Sequence, residues 1–150
     1  MGDIGVEQKD TYYVAVKVFL ERDGKLFIFK DKFGAWDLPG GRIKKAEFET
    51  PLPDVIKRKM SEEIGAEAQY DVDALPSILM RHERIEAVEG SPVARIFGLG
   101  YRARMTGGEV VLSDSHTEML WVDPKNFKPE DYFTGGWLSG IQEYVAALQK

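Results

Sequence analysis

The chemistry-bearing part of this chain is a glycine-rich turn, Pro39-Gly40-Gly41, followed by a segment carrying Arg58, Lys59, Glu62 and Glu63. On a helix, Arg58 and Glu62 stand four residues apart on one face, and Lys59 and Glu63 do the same. Adjacent glutamates near a helix end are ordinary on a solvated surface. The two glycines change that reading, because a backbone without Cβ atoms can approach a ligand closely and turn a carbonyl inward. A helix laid against such a loop would hold its carboxylates beneath it. Clustered oxygen donors without cysteine or histidine suit Mg²⁺ or Mn²⁺ rather than zinc.

Composition narrows the alternatives. The chain has 150 residues, 43% of them hydrophobic and 30% charged, which is the make-up of one globular domain over residues 1–150. It has no cysteine, so disulfides, a thiolate nucleophile and Cys-ligated metals are excluded. Two histidines, His82 and His116, do not make a poly-histidine metal site. A net charge of −5 argues against a nucleic-acid polymer as partner, since such surfaces carry a basic stripe. A phosphate-bearing ligand would need a bound cation or a local basic cluster. Residues 1–10 lack the basic-then-apolar pattern of a signal peptide, and no apolar run reaches the ~18 residues of a membrane span. The expected setting is the cytoplasm, with no membrane partner.

The elements that must position these groups follow from periodicity. Residues 11–20 (TYYVAVKVFL) alternate, with Tyr12, Val14, Val16, Val18 and Leu20 on one face of a strand. Arg22-Asp23-Gly24-Lys25 makes a tight turn, and residues 26–30 return as a second strand. Residues 51–64 read as a helix with Thr50 as N-cap and Gly65 past its end; its apolar stripe is Leu52, Val55, Ile56, Met60 and Ile64. Strand-like stretches over 68–84 and 92–105 are hinged at Glu89-Gly90-Ser91-Pro92, and 110–112 and 119–122 are shorter strand candidates. Residues 136–148 place Trp137, Ile141, Val145 and Leu148 at helical spacing. Strands, helix, strands, helix is the order of a mixed sheet with helices packed on it.

Residues 38–66 resemble the Nudix box, Gly-x5-Glu-x7-Arg-Glu-U-x-Glu-Glu-x-Gly-U, where U is bulky and aliphatic. Gly41 and Glu47 match its first half; Arg58, Met60, Glu62, Glu63 and Gly65 match its second. The approach Trp36-Asp37-Leu38-Pro39-Gly40-Gly41 and the later His116-x-Glu118-x-x-Trp121 extend the similarity. There are two departures. Glu47 and Arg58 are separated by ten residues rather than seven, which a surface loop absorbs at little cost. Lys59 stands where the box has its first helix glutamate, a common metal ligand and base of that family.

The resemblance implies an α+β Nudix fold, a mixed β-sheet sandwiched between α-helices (α/β/α). It also implies an Mg²⁺-dependent (or Mn²⁺-dependent) hydrolase that cuts a diphosphate linkage in a nucleoside diphosphate derivative, releasing a nucleoside monophosphate. Gly40, through its carbonyl, and Glu47, Glu62 and Glu63 would hold the metal. Arg58 would position a glutamate, Glu62 would be the base, and Glu118 is the second choice. Lys59 either swings away to pair with Glu63 or contacts substrate phosphate. Arg95, Arg102 and Arg104 project from an apolar strand and are candidates for a phosphate cleft. Phe33, Trp36, Tyr132, Phe133 and Trp137 are available for base stacking. Two alternatives stand beside this reading. One is a GDP-mannose-type Nudix glycosyl hydrolase with His116 as base, which breaks a carbon–oxygen bond. The other is a nucleotide-binding module whose catalysis Lys59 has weakened. Dimers are frequent in the family, so a homodimer is an open expectation.

Overall fold

The structure is a computed structural model, and it describes residues 8–84 and 93–149. Among the described residues, eight strands form one sheet. They are β1 (Tyr13–Arg22), β2 (Lys25–Asp31), β3 (Trp36–Asp37), β4 (Gly40–Arg42), β5 (Gln69–Val72), β6 (Ile78–Arg84), β7 (Ala94–Gly107) and β8 (His116–Val122). The path runs β3-β2-β1-β7-β5, with β4 on β1, β6 on β7 and β8 on β2. Only the β1–β7 pair is parallel among these pairings, so the sheet is mixed.

β1 is buried on both faces, and its alternation sorts the core into two layers. Val16, Val18 and Leu20 meet Val55, Ile56, Met60 and Ile64 of helix α1 (Leu52–Ile64). Phe19 faces the other way, toward Ile141 and Tyr144 of helix α2 (Gly135–Leu148). The helices therefore cover opposite faces of the sheet, which is the expected α/β/α sandwich. β7 carries Gly98 under Trp137 of α2, where a Cβ would stand 2.7 Å from the indole ring. The β1–β2 turn takes the expected left-handed backbone at Asp23 (φ 52°) and Gly24 (φ 76°).

Some boundaries differ from the sequence reading. α1 begins at Leu52, and Pro51 rather than Thr50 is its N-cap; the Pro51 carbonyl accepts from the amides of Asp54 (3.0 Å) and Val55 (3.2 Å). Proline serves there because it has no N–H to leave unsatisfied. Residues 110–112 do not form a strand. Instead the Val111 N–H donates to the Ile64 carbonyl (2.9 Å) and the Ser113 N–H to that of Glu63 (3.3 Å). This segment satisfies the orphan carbonyls at the end of α1. His116 and Glu118 belong to β8 rather than a loop. The hinge expected at Glu89-Gly90-Ser91-Pro92 lies outside the described residues. Among the described residues, no helix is long and apolar enough to cross a membrane.

Candidate active site

The glycine turn lies between β1 and the last turns of α1. Gly40 has φ 140°, a backbone that favours glycine, and a Cβ there would overlap the Val16 carbonyl oxygen. Its N–H donates to Glu63 Oε1 at 2.7 Å. The contact between the turn and the helix thus runs through the amide of Gly40. Gly41 leaves room for a different neighbour: a Cβ there would run into the Lys59 stem and stand 2.7 Å from Nζ.

Glu63 is largely enclosed, its side chain 18% exposed. Burial pushes its pKa up to about 7, only partly offset by the Gly40 hydrogen bond and the fields of Lys17 and Lys59. Its Oε2 lies 3.9 Å from His116 Nε2. His116 is only 7% exposed; its ring stacks on Phe29 (centroids 3.6 Å apart) and its Nδ1 is hydrogen-bonded with Ser113 Oγ at 3.2 Å. Burial lowers the pKa of this histidine, which favours its neutral form. A bulge explains how it gets there. Asp31 pairs with His116 and Lys30 with Glu118, which skips one residue of β8 and turns His116 to the α1 side with Phe29. Glu118 stays with Lys30, 3.7 Å away, so the structure does not bring it to Glu63.

Arg58 organises the remaining carboxylates. Its Nε and Nη2 donate to Glu47 Oε2 and Oε1, both at 2.6 Å, and its Nη1 donates to Glu62 Oε1 at 3.1 Å. The guanidinium beside them holds both carboxyls below the usual glutamate range. Glu47 also accepts from the Lys44 amide at 2.9 Å, at the entry to the short 3₁₀ turn Lys45–Glu47. Both Glu47 oxygens are thereby taken. The Lys59 ammonium lies 3.7 Å from Glu62 Oε2, so its partner is Glu62, one helical turn on, rather than Glu63. Glu63 has been drawn inward by Gly40, out of line with the lysine.

Beyond the turn, on the α2 side, lies a cleft of about 770 Å³ lined by Lys17, Arg42, Trp36, His82, Tyr132 and Trp137, with Gly40 and Gly41 in its wall. Lys17 is buried and bonded to Asp37 at 2.8 Å, with its ammonium 5.0 Å from the Trp137 ring centroid. Trp36 and Tyr132 meet edge to face at 5.3 Å. Of the other expected stacking residues, Phe33 is 84% exposed and Phe133 is buried. A second cavity, of about 590 Å³, lies by α1 and β5 among Pro53, Ile56, Tyr70 and Tyr101; neither cavity is lined by a box carboxylate.

Arg95 and Arg102 do not line the cleft. Seven residues apart on one strand, they project from opposite faces of β7. Arg95 is engaged by Glu83 and Asp10, Arg102 by Glu21, and Arg104 by Asp73. Sequence reasoning passed over Lys17 and His82. A lone lysine in an otherwise apolar strand, on the face opposite Val16 and Val18, was the available signal for the first. His82 sits in a charged run that reads as a solvated face, yet it is half-buried and stacked on Trp137 at 4.7 Å.

The donor set can be tested against a metal ion. Among the described residues no three Asp, Glu, His or Cys side chains converge as a ligand group. Glu63 nevertheless offers one carboxylate oxygen beyond the Gly40 bond, in a buried place where its charge is poorly compensated. Glu62 is its neighbour. Carboxylate oxygens of this kind suit a hard divalent cation.

The sandwich, with the glycine turn against the end of α1, decides the architecture. The chain has the Nudix fold. It is similar in structure to an ADP-ribose pyrophosphatase from Streptococcus suis (14% identity, 93% of this chain and 94% of that one, TM-score 0.65). It is likewise similar to a MutT NUDIX hydrolase from Burkholderia pseudomallei (23% identity, 79% and 88%, TM-score 0.56). The E. coli dihydroneopterin triphosphate pyrophosphohydrolase aligns over 92% of this chain and 99% of its own, at 13% identity and TM-score 0.67. No family model and no curated protein sequence matches the chain. On this Nudix fold, Gly40 is bonded to Glu63, and Arg58 to Glu47 and Glu62. Lys59 is the chain's own departure.

Proposed function

We propose that this protein is a hydrolase of phosphoanhydride bonds, cutting a nucleoside diphosphate linked to another group into a nucleoside monophosphate and a phosphorylated product. The observation that carries the reading is the Gly40–Glu63 hydrogen bond, which fixes a largely enclosed carboxylate against the turn that also walls the aromatic cleft. The names of the similar structures, two of them pyrophosphatases or pyrophosphohydrolases, support the same reaction class.

Mg²⁺ or Mn²⁺, held by Glu63 with Glu62 and the Gly40 carbonyl, would neutralise the diphosphate and acidify a bound water. The chain's own residues do the rest. Glu63, held by the Gly40 amide, would be a ligand. Glu62, 47% exposed against 18% for Glu63, faces solvent and accepts the proton of the attacking water. Arg58 holds Glu62 in place and is itself anchored by Glu47, which acts as a positioning residue rather than a ligand. His116, packed on Phe29, stands 3.9 Å from Glu63, beyond hydrogen-bond distance. Its burial speaks against the glycosyl-hydrolase reading, in which it would have to reach a sugar-bound water in the cleft. Lys17 and Arg42 supply positive charge to the cleft, and Trp36, Tyr132 and Trp137 supply ring faces for a base.

The test is turnover of a panel of nucleoside diphosphate derivatives with Mg²⁺ or Mn²⁺, and its loss on chelation. Binding across the panel without turnover would favour the binding module instead.

A further inference from the structure

Lys59 stands out from the surface lysines of this chain. Its side chain is 20% exposed, folded along Gly41 with the ammonium 2.7 Å from where a Cβ would be, and 3.7 Å from Glu62 Oε2. A lysine serving only as a helix-surface ion pair would extend into water, where such pairs contribute little. Here the glycine at position 41 is what admits the stem, so the ammonium is lodged between the turn and the carboxylates. Its field reaches Glu62, Glu63 and His116 alike.

The local charge balance points the same way. With all three carboxylates ionised, Glu47, Glu62 and Glu63 are set against Arg58 and Lys59, leaving one net negative charge (three carboxylates, two cations). A glutamate at position 59 would leave three. A second cation beside this turn of the helix would face the Lys59 ammonium where a glutamate would have offered it a ligand.

We propose that the Lys59 ammonium is a built-in cation of this site, contacting the diphosphate in place of a second divalent ion, so that the chain binds a diphosphate together with a single divalent cation. The inference rests on the reading of the site as one that takes a diphosphate. No bond is made or broken by Lys59; it contributes charge and up to three N–H donors to phosphate oxygens. Unlike a metal ion, that charge is present before substrate arrives and needs no recruitment.

The experiment counts Mn²⁺ bound to the purified chain by electron paramagnetic resonance, with and without methylenediphosphonate, a diphosphate that cannot be hydrolysed. The native chain is expected to hold one Mn²⁺ in the ternary complex. Lys59→Glu should gain a second. Lys59→Met should keep one while its affinity for methylenediphosphonate, at saturating Mn²⁺, falls about tenfold or more. Two Mn²⁺ ions on the native chain, or Lys59→Met binding as tightly as the native chain, would overturn the inference. So would the absence of any Mn²⁺-dependent binding of methylenediphosphonate by the native chain. The native count needs no variant, so a variant that folds poorly does not decide the matter. Hydrolysis is not read here: one Mn²⁺ and a weakened Lys59→Met in a protein that turns over nothing would uphold this inference and remove the hydrolase reading. Turnover with two ions bound would do the reverse.

Discussion

The amide of Gly40 donates to the carboxylate of Glu63 at 2.7 Å, and this one bond ties the glycine turn to the far end of α1. It also fixes the sense of the first prediction. Glu63→Gln keeps an oxygen to accept from Gly40 but removes a charge whose burial is poorly compensated. Removing such a charge is neutral or stabilising. The melting temperature of the metal-free variant should therefore equal or exceed that of the native protein, while turnover falls by about two orders of magnitude or more. Thermal denaturation and steady-state assay read the two effects separately, and a variant with near-native turnover would remove Glu63 from the site.

Arg58 serves two carboxylates at once, so its loss should be felt through both. Arg58→Met leaves Glu47 without its bidentate partner and lets Glu62 move. An expected drop of about a hundredfold in kcat follows from misplacing a catalytic group by an ångström or so. Because the group acts through Glu62, the drop should appear in kcat with KM for the nucleotide little changed. An effect confined to KM would contradict the positioning role.

The two glycines of the turn do different jobs and should fail differently. Gly40→Ala meets both an unfavourable φ and the Val16 carbonyl, at a cost on the order of 3 kcal/mol. Gly41→Ala meets the flexible end of Lys59, which can move aside, so its stability cost should be small while diphosphate affinity changes. Urea denaturation of the two variants measures the contrast; equal losses would mean that the Lys59 side chain cannot move aside from Gly41.

His82 links the cleft to α2. The Gly136 N–H donates to its Nδ1 at 3.2 Å, which requires that nitrogen to be unprotonated. Burial lowers the pKa of His82, the nearby Lys17 and Arg84 lower it further, and Asp37 opposes them. Since the folded pKa lies below the unfolded value of about 6.5, the unfolded chain binds more protons in that window. The stability this group contributes is present above pH ~6.5 and is lost as pH falls through the folded pKa. Melting temperatures from pH 7.5 down to 5 should thus fall more steeply for the native protein than for His82→Gln. His116 shares the direction of shift but is common to both proteins, so the difference between them isolates His82. Parallel curves would contradict the assignment.

Much of this was legible in the sequence because it depends on local periodicity and on spacing along one helix. Val16, Val18 and Leu20 alternate, Val55, Ile56, Met60 and Ile64 recur at helical intervals, and both patterns survive in the two-layer core. Arg58 and Glu62 meet because four residues make about one helical turn. What was not legible depends on residues far apart in the chain. Residues 110–112 look like a strand until Val111 is needed to satisfy the Ile64 carbonyl. His116 and Glu118 have the spacing of residues that share a strand face. The bulge against Lys30 and Asp31 separates them and delivers only His116 to Glu63. Arg95 and Arg102, by contrast, could have been separated by parity alone, since seven residues along a strand reverse the face. Lys59 was visible as a departure, but its lodging against Gly41 depends on how the turn and helix pack.

Attack of water at phosphorus is read most directly by turnover in ¹⁸O-labelled water with Mg²⁺ or Mn²⁺, followed by mass analysis of the products of a nucleoside diphosphate sugar. The site built on Glu62, Glu63 and the glycine turn predicts label in a phosphate-bearing product and none in a free sugar. Label in the sugar alone, with an unlabelled nucleoside diphosphate released, would contradict it.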